Sequence, residues 1–142
     1  MKKLYFILLL SATTFFSCKK DGCRDSDAEN FCSDCKDAGG CQFVGNLVFW
    51  YNQTTAQSVL AAGSTSFTYY VEGKLIGSSA ASVYWTGSPN CGQNQSITAE
   101  VNLGSSRSKS VSYKVVDQDN DIIWQGSIEL QGKTCMKLEL TP

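Results

Sequence analysis

ITAEVNLGSSRSKSVSYKVVDQDNDIIWQGSIEL, residues 97–130, alternates between apolar and polar side chains over most of its length, and that alternation decides the fold class. Ile97, Ala99, Val101 and Leu103 alternate with Thr98, Glu100 and Asn102. After a Gly-Ser-Ser turn, Val111, Tyr113 and Val115 alternate with Ser112 and Lys114. Beyond DQDND, Ile122, Trp124, Gly126, Ile128 and Leu130 alternate with Gln125, Ser127 and Glu129. A period of two places each set on its own face of a pleated strand, whereas a helix would repeat every 3.6 residues. Three strands separated by turn residues follow.

The same reading extends outward in both directions. Phe67, Tyr69 and Val71 share one face and Thr68 and Tyr70 the other, and Glu72-Gly73 turns the chain into Lys74–Gly77 as a hairpin. The run from Val44 to Tyr51 is largely apolar around Leu47, Val48, Phe49 and Trp50, as expected of a strand covered on both faces. NQTTAQS, residues 52–58, reads as a polar connection, with Val59 and Leu60 touching the core. Ser82–Thr86 reads as a further strand before the turn Gly87-Ser88-Pro89-Asn90. At the end of the chain Met136, Leu138 and Leu140 face inward, with Lys137 and Glu139 outward. Strands that bury one face and wet the other pack as two sheets. The expectation is all-β: an antiparallel sandwich of about seven strands over residues 41–142, immunoglobulin-like or transthyretin-like.

The N-terminus supplies an address. Lys2 and Lys3 precede an apolar run from Leu4 to Phe16, and the small residue Ser17 precedes Cys18, which is the form of an export signal. The run is about thirteen residues, short of the roughly 20 a membrane-spanning helix needs. Ser17-Cys18 resembles the lipobox of bacterial lipoproteins, with Phe15 and Phe16 in place of its usual Leu and Ala or Ser. That resemblance implies that residues 1–17 are removed, that Cys18 is lipidated and that the chain is anchored to a membrane. Lys19-Lys20-Asp21 is similar to the surface-export tags of Bacteroidota lipoproteins, which implies an outer-membrane location facing the cell surface.

Without the signal, twelve Lys and Arg less Lys2 and Lys3 leave ten, against thirteen Asp and Glu. This mildly acidic balance, with no basic stripe, argues against a nucleic-acid partner. Of seven cysteines, the lipobox resemblance assigns Cys18 to the lipid. Cys23, Cys32, Cys35, Cys41, Cys91 and Cys135 remain, an even number that implies disulfides in an exported chain, with fifteen connectivities open. Residues 18–40 are polar, only Phe31 offering a core anchor, and read as a Cys-rich tether. Zinc would need the four thiolates of Cys23, Cys32, Cys35 and Cys41 free in an oxidising compartment. A redox centre at Cys32 and Cys35 would need a lowered thiol pKa, and Asp34 and Asp37 carry the wrong charge for it. Structural disulfides are the expectation, with no metal and no cofactor assigned.

Pro89-Asn90-Cys91-Gly92, the alternating strand that follows, Ser-Lys-Ser-Val-Ser-Tyr ending at Tyr113, Trp124-Gln125-Gly126 and Cys135-Met136-Lys137-Leu138-Glu139-Leu140 resemble small uncharacterised lipoprotein domains of Bacteroidota. The resemblance covers residues 44–141 and brings no activity with it. It implies a Cys91–Cys135 disulfide. The parity of Cys135 with Lys137 and Glu139 puts that bridge on the rim or outer face.

The chain has no histidine, so the usual general base and the usual partner of a nucleophilic Ser or Cys are missing. Glycoside hydrolysis would need two facing carboxylates, but alternation puts Glu100, Glu129 and Glu139 on solvated faces of different strands, with Glu72 in a turn. Asp117-x-Asp119-x-Asp121 opens like a calcium loop but has Ile122 where the loop needs Gly and Ile128 where it needs Glu. No catalytic residue is assigned, and the chain is not expected to be an enzyme. Tyr70, Tyr84 and Trp85 are the recognition candidates, since exposed aromatic rings stack on sugars or anchor protein partners. Trp50 is also free to face outward, while Trp124 is expected in the core. The expected function is that of a cell-envelope lipoprotein acting as a non-catalytic binding or accessory domain for a protein or glycan. The alternative is a structural envelope lipoprotein with no specific ligand.

Overall fold

A computed structural model describes residues 21–37 and 40–142; the expected signal segment, residues 1–17, and Cys18 lie outside them. In chain order the elements are β1 (Asp21–Gly22), β2 (Lys36–Asp37), β3 (Phe43–Trp50), α1 (Gln53–Ala61), β4 (Ser66–Val71), β5 (Lys74–Ala80), β6 (Ile97–Gly104), β7 (Ser108–Asp117), β8 (Ile122–Gln131) and β9 (Cys135–Glu139). Strands β3 to β9 form two sheets, β6-β3-β9 and β5-β4-β7-β8, while β1 and β2 make a short parallel pair. The fold is all-β, as the alternation predicts.

The expected purely antiparallel pairing is corrected at one place: β9 runs parallel to β3, with Leu47 opposite Met136 and Phe49 opposite Leu138. The chain leaves β8 beside the start of β3, where Lys133 N–H donates to the Val44 carbonyl and Asn46 N–H to that of Thr134. From there the direct route along the free side of β3 runs in the same direction as β3. Counting only the seven sandwich strands, the orders are fourth-first-seventh and third-second-fifth-sixth. An immunoglobulin constant domain has first-second-fifth-fourth over third-sixth-seventh. The strand order is therefore not that of an immunoglobulin constant domain.

Between the sheets lie Leu47, Phe67, Val111, Val115, Leu130 and Leu140, each buried. Each such side chain contributes about 1.5–3 kcal/mol relative to an exposed one. Trp124 packs against this core as expected, edge-on to Phe67 at 5.0 Å and stacked on Tyr51 at 6.1 Å, with its indole N–H donating to the Thr141 carbonyl. At one end β3 comes close to β8: a Cβ on Gly45 would stand 2.9 Å from the Gln131 carbonyl oxygen.

Three further expectations are corrected. Residues 53–61 are not an extended polar connection but the helix α1, started by Asn52, whose side chain accepts the Thr55 N–H at 3.0 Å. This is the usual N-cap satisfaction of a free helix-terminal amide. Thr55, Ala56 and Val59 bury one side of α1 and Leu60 is exposed. Ser82–Thr86 forms no strand, because its backbone finds only single bonds such as Trp85 N–H to the Tyr51 carbonyl rather than a ladder. Ile122 is 52 % exposed and Ile123 packs on the core instead. The register shifts by one between Val115–Trp124 and Val116–Ile122, and such a bulge reverses the facing of the residues before it.

The connection 81–96 crosses the outer face of the three-stranded sheet. It is fastened by the Cys91–Cys135 disulfide, by Lys137 Nζ to Asn90 Oδ1 at 3.1 Å and by Gly92 N–H to Thr98 Oγ1 at 3.0 Å. Beneath it Val48, flanked in register by Thr98 and Lys137, is fully buried on the side away from the main core. That is why the β3 run is apolar on both faces.

The N-terminal segment docks on the end of the sandwich where β3 begins. Its anchor is not Phe31, which is 46 % exposed, but Cys23 and Ala28, both within the core. Glu29 N–H donates to the Gln42 carbonyl, Lys133 Nζ to the Ser26 carbonyl, and Arg107 pairs with Asp25 at 2.6 Å. The remaining disulfides are Cys23–Cys41 and Cys32–Cys35. In the chain-entropy model the loops closed by Cys91–Cys135, Cys23–Cys41 and Cys32–Cys35 contribute about 4, 3 and 2 kcal/mol respectively.

Candidate functional site

Tyr70 stands on β4 between two buried neighbours, Tyr69 and Val71, so the pleat turns its ring to the outer face of the four-stranded sheet. Across that face it lies in register with Leu75 on β5 and Lys114 on β7, and Lys114 lies in register with Gln125 on β8. The Lys114 ammonium sits 5.1 Å from the centre of the Tyr70 ring, a cation–π contact. Ser112 and Ser127 form the neighbouring register pair. Tyr70, Ser112, Lys114, Gln125 and Ser127 line a shallow recess of about 530 Å³. Its floor is made of small side chains and its wall is an aromatic ring.

The rim is set by the β4–β5 turn. Glu72 has φ 49° and Gly73 φ 74°, the two left-handed positions that such a tight hairpin turn requires. The Glu72 carboxylate accepts the Ser112 N–H at 2.7 Å and the Ser112 hydroxyl at 3.0 Å, and pairs with Lys109 at 3.2 Å. The Ser112 backbone bond, then Lys109, hold its pKa below the ordinary value. A ring with an ammonium beside it, two hydroxyls and an amide can stack on an apolar surface while donating to and accepting from hydroxyl groups.

Tyr84 and Trp85 lie elsewhere. Tyr84 is 41 % exposed on the 81–96 connection beside exposed Val83, whereas Trp85 is half-buried in a narrow crevice with Phe49, Trp50, Tyr51 and Tyr69. Burial raises the pKa of both Tyr51 and Tyr69. The structure therefore does not bring the three recognition candidates together. Trp50 is half-buried, and its indole N–H has no hydrogen-bond partner among the described residues.

The carboxylates of Glu72, Glu100, Glu129 and Glu139 are on exposed residues. Asp117 Oδ1 accepts the N–H groups of Asp119 and Asp121 at 2.9 and 3.0 Å, so DQDND is a hairpin turn closed by its own side chain. No group of three or more metal-ligating side chains occurs among the described residues. Sequence reasoning found Tyr70 but missed Lys114, Gln125, Ser112 and Ser127. Their outward parity was readable, but which strands lie side by side was not. Comparison with family models, with curated proteins and with solved structures finds no match for this chain.

Proposed function

We propose that the chain is a cell-envelope lipoprotein, lipidated at Cys18 and held at the outer membrane. Its sandwich would act as a non-catalytic binding domain whose outer four-stranded face takes a saccharide. The observation that carries the reading is the Tyr70 ring beside Lys114, set among Ser112, Ser127 and Gln125. An aromatic plane next to hydroxyl and amide groups suits the two-sided chemistry of a sugar ring. The Ser17-Cys18 pattern and the Lys-Lys-Asp run support the address.

The test is calorimetric titration of envelope and host polysaccharides into the protein, alongside Tyr70→Ala. Loss of affinity by at least tenfold in Tyr70→Ala, about 1.4 kcal/mol, supports the reading. Binding that Tyr70→Ala leaves intact removes this face from it. If no saccharide binds, cross-linking on intact cells separates the remaining cases: one stoichiometric protein makes the domain an accessory subunit, and none leaves a structural envelope lipoprotein.

A further inference from the structure

The disulfides are not equivalent. Cys23–Cys41 begins in the core, with Cys23 buried, and Cys91–Cys135 fastens the connection over Val48. Cys32–Cys35 joins residues only three apart and borders an open recess of about 530 Å³ lined also by Asp21, Asn30, Phe31 and Ser33. The two residues differ in exposure: Cys35 is buried, at 2 %, while Cys32 is half-buried, and both line the recess. Closing the shortest loop, it also constrains the unfolded chain least and so contributes least to holding the fold.

We propose that Cys32–Cys35 is a thiol–disulfide exchange site that takes two electrons from an exported dithiol protein, attacked at Cys32. The partner's thiolate approaches through the recess and bonds to Cys32 Sγ. The Cys32–Cys35 bond breaks, and Cys35 Sγ leaves as a thiolate that takes up a proton. The partner's second thiol then loses its proton and attacks the partner's own sulfur in the mixed disulfide, releasing Cys32 as a thiol. The sum is one disulfide reduced here and one formed in the partner, with two electrons and two protons transferred. Asp34 argues against a catalytic, low-pKa thiol here, but an attacked disulfide needs none. Asp21 in the lining, with exposed Phe31 beside it, fits a partner whose reactive dithiol lies in the electropositive setting typical of such thiols.

Reduction would act locally. Gly22 packs so closely on the disulfide that a Cβ there would lie 2.9 Å from Cys35 Sγ, and Arg24 Nε donates to the Cys35 carbonyl. Opening the bridge loosens the β1–β2 pair at the base of the tether, while Cys23–Cys41 keeps the segment docked. The inference does not rest on the Tyr70 face.

The experiment equilibrates the full chain, oxidised and as purified from cells, with mixtures of reduced and oxidised dithiothreitol. Acid quenching, alkylation and peptide mass spectrometry then read each cysteine. Cys32 and Cys35 are expected to become thiols at a reduced-to-oxidised ratio at least tenfold lower than the other two pairs. In a second arm, oxidised glutathione should add to Cys32 in Cys35→Ser at least tenfold faster than to Cys35 in Cys32→Ser. Three pairs titrating together, Cys32–Cys35 reducing last, or equal or faster addition at Cys35 would overturn the proposal.

Discussion

Glu72 shows how much a single turn residue organises. Its left-handed backbone aims the carboxylate back across β4 at β7, where the Ser112 amide and Lys109 lower its pKa. A carboxyl lowered by folding adds stability that is present above its unfolded pKa and is lost as pH falls through the folded value. Carboxyl NMR should find Glu72 titrating below the ordinary glutamate value of about 4.3. Lys109→Met should raise it only part of the way, because the backbone bond remains; a return to the ordinary value would mean that the Ser112 bond is not made in solution. At this scale the sequence was informative wherever parity ran unbroken, as at Phe67, Tyr69 and Val71. It misassigned Ile122, because one inserted residue exchanged its facing with that of Ile123, and nothing in two adjacent isoleucines marks a bulge.

Among elements, the 81–96 connection is the least like its sequence reading. Ser82–Thr86 has strand composition, yet the segment serves as a cover, and Val48 owes its burial to it. Replacing Cys91 and Cys135 together by serine should remove about 4 kcal/mol of stability in the chain-entropy model, read as a fall in the urea midpoint. Amide exchange should rise across 81–96 first. If the midpoint fell while exchange there stayed slow, the Asn90–Lys137 and Gly92–Thr98 bonds alone would be holding the cover. The helix α1 had one legible signal, Asn52 as N-cap, but TTAQS carries no strong apolar repeat and too few residues to show a period. The N-terminal segment was misread for the opposite reason. Phe31 is its largest apolar residue and is exposed, while the small Ala28 is fully buried.

For the whole molecule, two packed layers were legible because five of the seven sandwich strands declared a wet and a dry face. Which strand lies beside which was not, since register and neighbours are set by long-range contacts that leave no local trace. The recognition face suffered from the same gap: Tyr70 was visible in the sequence and its companions across β7 and β8 were not. The proposed address makes a separate prediction. Cys18→Ser should move the protein from the membrane fraction to the soluble fraction, followed by cell fractionation and immunoblotting; retention in the membrane would remove the lipid from the account. The β3–β9 pairing carries a further consequence. The central strand of one sheet, which begins at Phe43, is flanked by strands that begin at Ile97 and Cys135. A chain threaded through a pore from its N-terminus therefore has no completed three-stranded sheet until β9 has emerged. Contacts so distant in sequence form slowly, so this sheet stays incomplete for as long as any of β9 remains on the near side.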